Sequence, residues 1–193
     1  MDENIPYRAR HLYERAALFI KQDMELCAES YLVEAIEIEP NYNEALLTLA
    51  IIYCRFQSWT KTKNLLEKAV KRGAEETMIL TLYALACWQT GLLSEAESVC
   101  RRALQIHEAD YHANYILGMI MIEAGAYHTG IVYLLRAVRV FSRFGYTWYG
   151  LAVGYSKVGQ NSTACRCLAK ARALLPGYYP IAMFATELGM DKN

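Results

Sequence analysis

The sequence predicts an all-α chain of helix pairs repeated every 34 residues, and three columns of small residues carry that prediction. Ala16, Ala50, Ala84, Gly118 and Ala152 form the first column. Ala28, Thr62, Ala96, Gly130 and Ala164 form the second. Ala35, Ala69, Ala103, Ala137 and Ala171 form the third. Where two helices cross closely, a side chain larger than alanine pushes the backbones apart. Each period therefore holds two helices, one carrying the first column and the other carrying the remaining two.

The elements follow in order. The first period has Ala16 on its first helix and Ala28 and Ala35 on its second, and Pro40 stops continuation. The second has Ala50, then Thr62 and Ala69. In the third, Gly91 lies between Ala84 and the pair Ala96 and Ala103. The fourth repeats the arrangement with Gly118, Gly125, Gly130 and Ala137. The fifth has Ala152, Gly159, Ala164 and Ala171, and Pro176 closes it. Gly91, Gly125 and Gly159 fall where a helix ends on a residue of positive φ.

Residues 148–176 read W-x2-L-A-x2-Y-x3-G-x4-A-x6-A-x4-P. This pattern resembles the tetratricopeptide repeat. The resemblance divides the chain into a lead-in at 1–8, repeats at 9–42, 43–76, 77–110, 111–144 and 145–178, and a partial capping segment at 179–193. Repeats two to four carry Ala74, Glu108 and Ser142 in place of the closing proline. Repeats three and four carry Cys87 and Met121 in place of the first-helix aromatic. The fold it implies is a right-handed α-solenoid, with first helices lining a concave surface and second helices outside.

Composition narrows the function. The hydrophobic fraction of 54% supports a full core. The 20 basic and 20 acidic residues give zero formal net charge, which removes the general electrostatic case for nucleic acid or an anionic membrane. The opening MDENIPYRAR is not built like a secretory signal. No stretch approaches the roughly 18 apolar residues of a spanning helix. The expectation is a soluble, cytoplasmic chain. Its six cysteines are read as reduced thiols serving as small core residues. Cys165 and Cys167, two apart on a helix, make a poor metal clip.

The family's groove positions, transferred to this chain, imply a partner-binding surface. They are Tyr13, Leu47, Ile51, Met78, Leu85, Trp88, Tyr115, Met119, Ile122, Tyr146, Tyr149 and Val153. Most are apolar or aromatic, and a contiguous exposed apolar patch usually marks an interaction site. The occupant expected is a hydrophobic or amphipathic segment of a partner protein. The same stripe is also compatible with ordinary core, with cover by the chain's own C-terminal segment, or with a second copy in a self-associating or structural assembly. A carboxylate clamp of the kind that holds acidic chaperone tails is rejected, because Tyr13, Ala17, Thr48, Met78 and Leu82 stand at its positions. An apolar groove resembles the small repeat chaperones of type III secretion, although those usually have about three repeats.

Lys68, Arg102, Arg136 and Lys170 repeat at the same period, with Glu34 breaking the row. A solvated outer face explains them better than a phosphate-binding ridge at net charge zero. His11, His107, His112 and His128 lack metal-ligand spacing, and no phosphate loop, nucleophile elbow or dinucleotide fingerprint occurs. No cofactor and no enzymatic activity are expected. The two function classes are a protein-binding adaptor or chaperone, and a structural subunit.

Overall fold

The structure, a computed structural model, describes residues 5–189. The outer parts of the expected lead-in and capping segment, 1–4 and 190–193, lie outside the described residues. Among the described residues there are eleven α-helices and no strand. They are α1 Tyr7–Lys21, α2 Glu25–Ile38, α3 Asn43–Arg55, α4 Trp59–Lys71, α5 Thr77–Gln89, α6 Leu93–Ile106, α7 Tyr111–Glu123, α8 Tyr127–Val140, α9 Gly145–Lys157, α10 Asn161–Leu174 and α11 Tyr179–Glu187. The odd-numbered helices up to α9 are first helices, and the even-numbered ones are their partners. α1 starts two residues ahead of the expected repeat boundary.

The chain forms two compact units, Met1–Glu95 and Ala96–Asn193. In the first unit, Leu12, Ala16, Leu32, Ala35, Ala45, Leu49 and Ile52 build the core. Glu25, buried at the start of α2, pairs with Arg55 at the end of α3. In the second unit, Leu134, Leu151, Ala152, Leu168, Ala171, Ile181 and Ala185 do so. α11 contributes Ile181 and Ala185, so this short helix covers apolar surface that α9 and α10 leave open.

All fifteen residues of the three small columns are buried. Thr62, the one polar member, donates its hydroxyl to the Ser58 carbonyl one turn back, at 3.2 Å. That bond removes the penalty of a buried hydroxyl. α7 crosses α8 through two glycines, Gly118 and Gly130. A Cβ on Gly130 would lie 2.8 Å from the Gly118 carbonyl oxygen, and one on Gly118 would lie 2.7 Å from Leu134 Cγ. Side chains at both positions would meet fixed atoms.

The turns inside the repeats share one backbone conformation. Gly91, Gly125 and Gly159 have φ of 80°, 80° and 78°. Asp23 and Gln57 occupy the same position in the first two repeats, with φ of 56° and 52°. An L-residue there costs roughly 1–2 kcal/mol relative to right-handed backbone, and Asp tolerates it better than Gln. Gln57→Gly therefore raises stability by about 1 kcal/mol, read as a higher urea midpoint at unchanged slope. An unchanged or lower midpoint contradicts the assignment of strain to this turn.

The cysteines correct one expectation. Cys87, Cys100 and Cys167 are buried, Cys54 and Cys165 are half-buried, and Cys27 is exposed near the start of α2. All six are free thiols, but Cys27 is not a core residue. Its side chain points away from Ala28, the column residue next to it. Burial pushes the Cys87 thiol up to about 11, so it stays protonated at neutral pH. A thiol reagent at pH 8 modifies Cys27 first and leaves Cys87 intact in the folded protein. Peptide mapping after a short exposure checks this, and early labelling of Cys87 contradicts it.

Candidate functional site

The groove residues are set out by the first helices, unit by unit. In the first unit, Tyr13 lies on α1, Leu47 and Ile51 on α3, and Met78, Leu85 and Trp88 on α5. Ile51 and Met78 are 44% and 49% exposed, large values for apolar side chains on helices. Tyr13, Leu47, Leu85 and Trp88 are half-buried. In the second unit, Tyr115 and Met119 lie on α7, and Tyr146, Tyr149 and Val153 on α9, all half-buried.

Ile122 departs from the expectation. It is 6% exposed and belongs to the second unit's core. A Cβ on Gly130 or on Gly154 would each meet Ile122 Cδ1 at 2.8 Å. The two glycines thus open a socket that draws Ile122 inward, and it contributes no accessible surface for a partner.

A run of aromatic rings joins the rest of the second unit's face. Tyr111 meets Phe141 and Phe144 edge-on at 5.5 and 5.6 Å. Phe144 also meets Tyr115 at 5.4 Å and Tyr146 at 5.2 Å. Tyr178 continues the run to Tyr146 at 5.1 Å and Tyr149 at 6.0 Å. Phe184 on α11 lies 6.1 Å from Tyr149. Ring centroids at these separations attract by about 0.5–1.5 kcal/mol per pair beyond burial. The Tyr111 hydroxyl is further tied to the Thr147 hydroxyl at 3.2 Å.

Phe141, Phe144, Tyr178 and Phe184 were not among the expected site residues, although a periodic signal for two of them exists. Tyr42, Glu76, Asp110, Phe144 and Tyr178 form a column at the residue preceding α3, α5, α7, α9 and α11. Its aromatic members meet the first-helix aromatic, tilted or edge-on, at one fixed spacing. The pairs are Tyr13 with Tyr42 at 5.2 Å, Tyr115 with Phe144 and Tyr149 with Tyr178. Before α5 and α7 the column is acidic instead, and Glu76 makes no side-chain cap on α5. Asp110 caps α7 by accepting from the Ala113 N–H at 2.8 Å, and Thr81 stands where a stacking ring would be. Asp110 thus serves the helix end where Tyr42, Phe144 and Tyr178 serve the aromatic face, because a phenyl ring has no acceptor for the orphan N–H groups.

The face carries little charge. Burial pushes the Tyr115 hydroxyl well above the ordinary tyrosine range and raises that of Tyr149 too. Both phenols therefore stay neutral through physiological pH. Among the described residues, no group of three His, Cys, Asp or Glu side chains is gathered to hold a metal ion, and no helix is long and apolar enough to cross a membrane. The arrangement offers apolar surface and ring edges, which bind by burial and shape.

No protein-family profile matches this chain. Among curated proteins it is similar to superkiller protein 3 of Schizosaccharomyces pombe, at 22% identity over 201 residues. That match covers 96% of this chain but only 14% of the relative's length. Among solved structures it is similar to YrrB, described as a TPR protein with an unusual peptide-binding site, with a TM-score of 0.69 at 18% identity, covering 91% of this chain and 90% of that one. MamA from Desulfovibrio magneticus RS-1, from residue 41 onward, gives 0.74 at 18% identity, over 88% and 96% of the two chains. The Cut9–Hcn1 hetero-tetramer of the APC/C gives 0.83 at 13% identity, over 98% of this chain and 38% of that one. At such identities the likeness is one of fold.

Proposed function

The chain has the tetratricopeptide-repeat fold, and from that premise we propose that it is a protein-interaction module, an adaptor or chaperone whose first-helix faces hold a hydrophobic or amphipathic segment of a partner protein. The observation that carries the reading is the aromatic run of the second unit, from Tyr111 to Phe184, whose central rings are left half-exposed. Stacked repeats expose such faces for binding. YrrB, described as having an unusual peptide-binding site, supports the same class of use. Tyr115, Met119, Tyr146, Tyr149 and Val153 are the proposed contacts in the second unit. Tyr13, Leu47, Ile51, Met78, Leu85 and Trp88 are those in the first. Ile122 is left out. The reading assigns no catalytic step and no cofactor.

Calorimetric titration with a designed amphipathic helical peptide, apolar at i, i+3, i+4 and i+7, tests it. Met78→Glu is the cleanest variant, since Met78 is exposed and its replacement leaves the fold intact. It weakens binding about tenfold, with the melting temperature unchanged. Affinity changes little with salt and stays flat between about pH 7.5 and 9, where the raised phenols remain neutral. Binding unaffected by Met78→Glu and by Tyr149→Glu overturns the reading. A concentration-dependent dimer broken by those same substitutions favours a self-associating structural subunit instead.

A further inference from the structure

A second apolar site lies on the other side of α9, away from the aromatic run. Trp148 is next to Tyr149 in sequence and so projects about 100° further round the helix. With Leu135 of α8 and Leu151 and Tyr155 of α9, it lines a cleft of about 250 Å³. Cys167 of α10 lies in its lining, and Arg166 and Lys170 of α10 bring two cations to it. The Lys170 ammonium sits 4.1 Å from the centroid of the Trp148 ring. Arg166 donates to the Thr163 hydroxyl, at 3.3 Å. No carboxylate lines the cleft, and among the described residues neither cation has an ion-pair partner.

The first unit holds the repeat-equivalent cleft, of about 290 Å³. There Val33, Leu46, Leu49 and Lys68 stand for Leu135, Trp148, Leu151 and Lys170. Its charges differ. Glu37 lies in the lining, and its arginine, Arg72, is already bonded to the Asn41 side chain at 3.1 Å and to the Pro40 carbonyl. The repeat architecture therefore makes the cleft, and of these two the second unit's is the purely cationic one.

We propose that the Trp148–Lys170 cleft binds an acidic protein segment that presents one apolar side chain, the side chain entering against the half-buried Trp148, Leu135 and Tyr155 and flanking carboxylates meeting Lys170 and Arg166. The volume argues for a single anchor residue, since pockets for drug-sized molecules run about 300–1,000 Å³. Charge-assisted bonds from the two cations fix the acidic flanks. This site lies on a different face of α9 from the aromatic run and, unlike that run, weakens as salt rises.

The probe is the acetylated pentapeptide EDFDE, titrated into the Trp59→Phe, Trp88→Phe protein so that Trp148 is the sole reporter. A saturable change in Trp148 emission is expected. It weakens about tenfold in Lys170→Glu and in Arg166→Glu, and by a similar factor as salt rises from about 50 to about 500 mM. Lys68→Glu leaves it unchanged. The proposal is overturned if both charge reversals bind as before, if EDSDE binds as well as EDFDE, or if no saturable change occurs. Displacement of the probe by oligothymidine at lower concentration than by unlabelled peptide also overturns it, in favour of nucleic acid.

Discussion

Gly130→Val lowers stability by about 3 kcal/mol, measured by urea unfolding, with the folded spectrum still helical at low denaturant. Two effects oppose one another. Glycine in a helix interior is about 1 kcal/mol worse than alanine, so a side chain here gains helix propensity. Against that, the new Cβ meets the Gly118 carbonyl oxygen and Ile122 Cδ1, both at 2.8 Å. The oxygen is part of the α7 backbone and cannot rotate away. Separating α7 from α8 opens the packing around Leu134, a fully buried leucine of the second unit's core. Overpacking typically costs about 1–3 kcal/mol, and the second methyl of valine adds to it. Gly130→Ala falls between, at about 1 kcal/mol. A valine variant with the wild-type midpoint contradicts the close-crossing account of all three small columns.

Phe144→Ala lowers stability by about 2–3 kcal/mol and weakens binding of the amphipathic peptide about tenfold. Truncating a buried phenylalanine costs about 3–5 kcal/mol, and half-burial scales that down. The ring touches Tyr111, Tyr115 and Tyr146, so its loss frees three neighbours at once. Tyr115 is a proposed contact, and its orientation depends on Phe144. Phe144→Leu restores most of the stability but not the edge-to-face geometry. Affinity restored as fully as stability by leucine would show that the run acts as filler rather than as a positioned binding face.

The helix pairs were legible because helix crossing imposes a size limit at three fixed positions per repeat. That limit survives as Ala, Gly or Thr through all five copies. Gly91, Gly125 and Gly159 marked their turns for the same reason. Asp23 and Gln57 hid theirs, since a non-glycine residue at positive φ leaves no compositional mark. The candidate face could be read along the first helices and not beyond them. Phe144 and Tyr178 precede their helices and look like turn residues, and only their recurrence with Tyr42 opposite first-helix aromatics gives them away. Ile122 was misplaced because its inward turn depends on Gly130 and Gly154, residues on two other helices. Position in a repeat cannot register a socket that only this repeat contains. Cys27 was misread for a related reason, as an apolar neighbourhood in sequence does not fix which way one side chain of a helix points.

The proposal that a first-helix face takes the partner segment is tested most directly by site-specific photocrosslinking in the second unit. A benzophenone amino acid is placed in turn at Tyr149, at Tyr146 and at Ser98, an exposed position on α6. Each variant is irradiated with the labelled amphipathic peptide, after a check that its melting temperature is close to that of the wild type. The account predicts covalent adducts from positions 149 and 146, competed away by unlabelled peptide and persisting at about 500 mM salt, with none from position 98. Equal adducts from all three positions, or adducts from position 98 alone, contradict it.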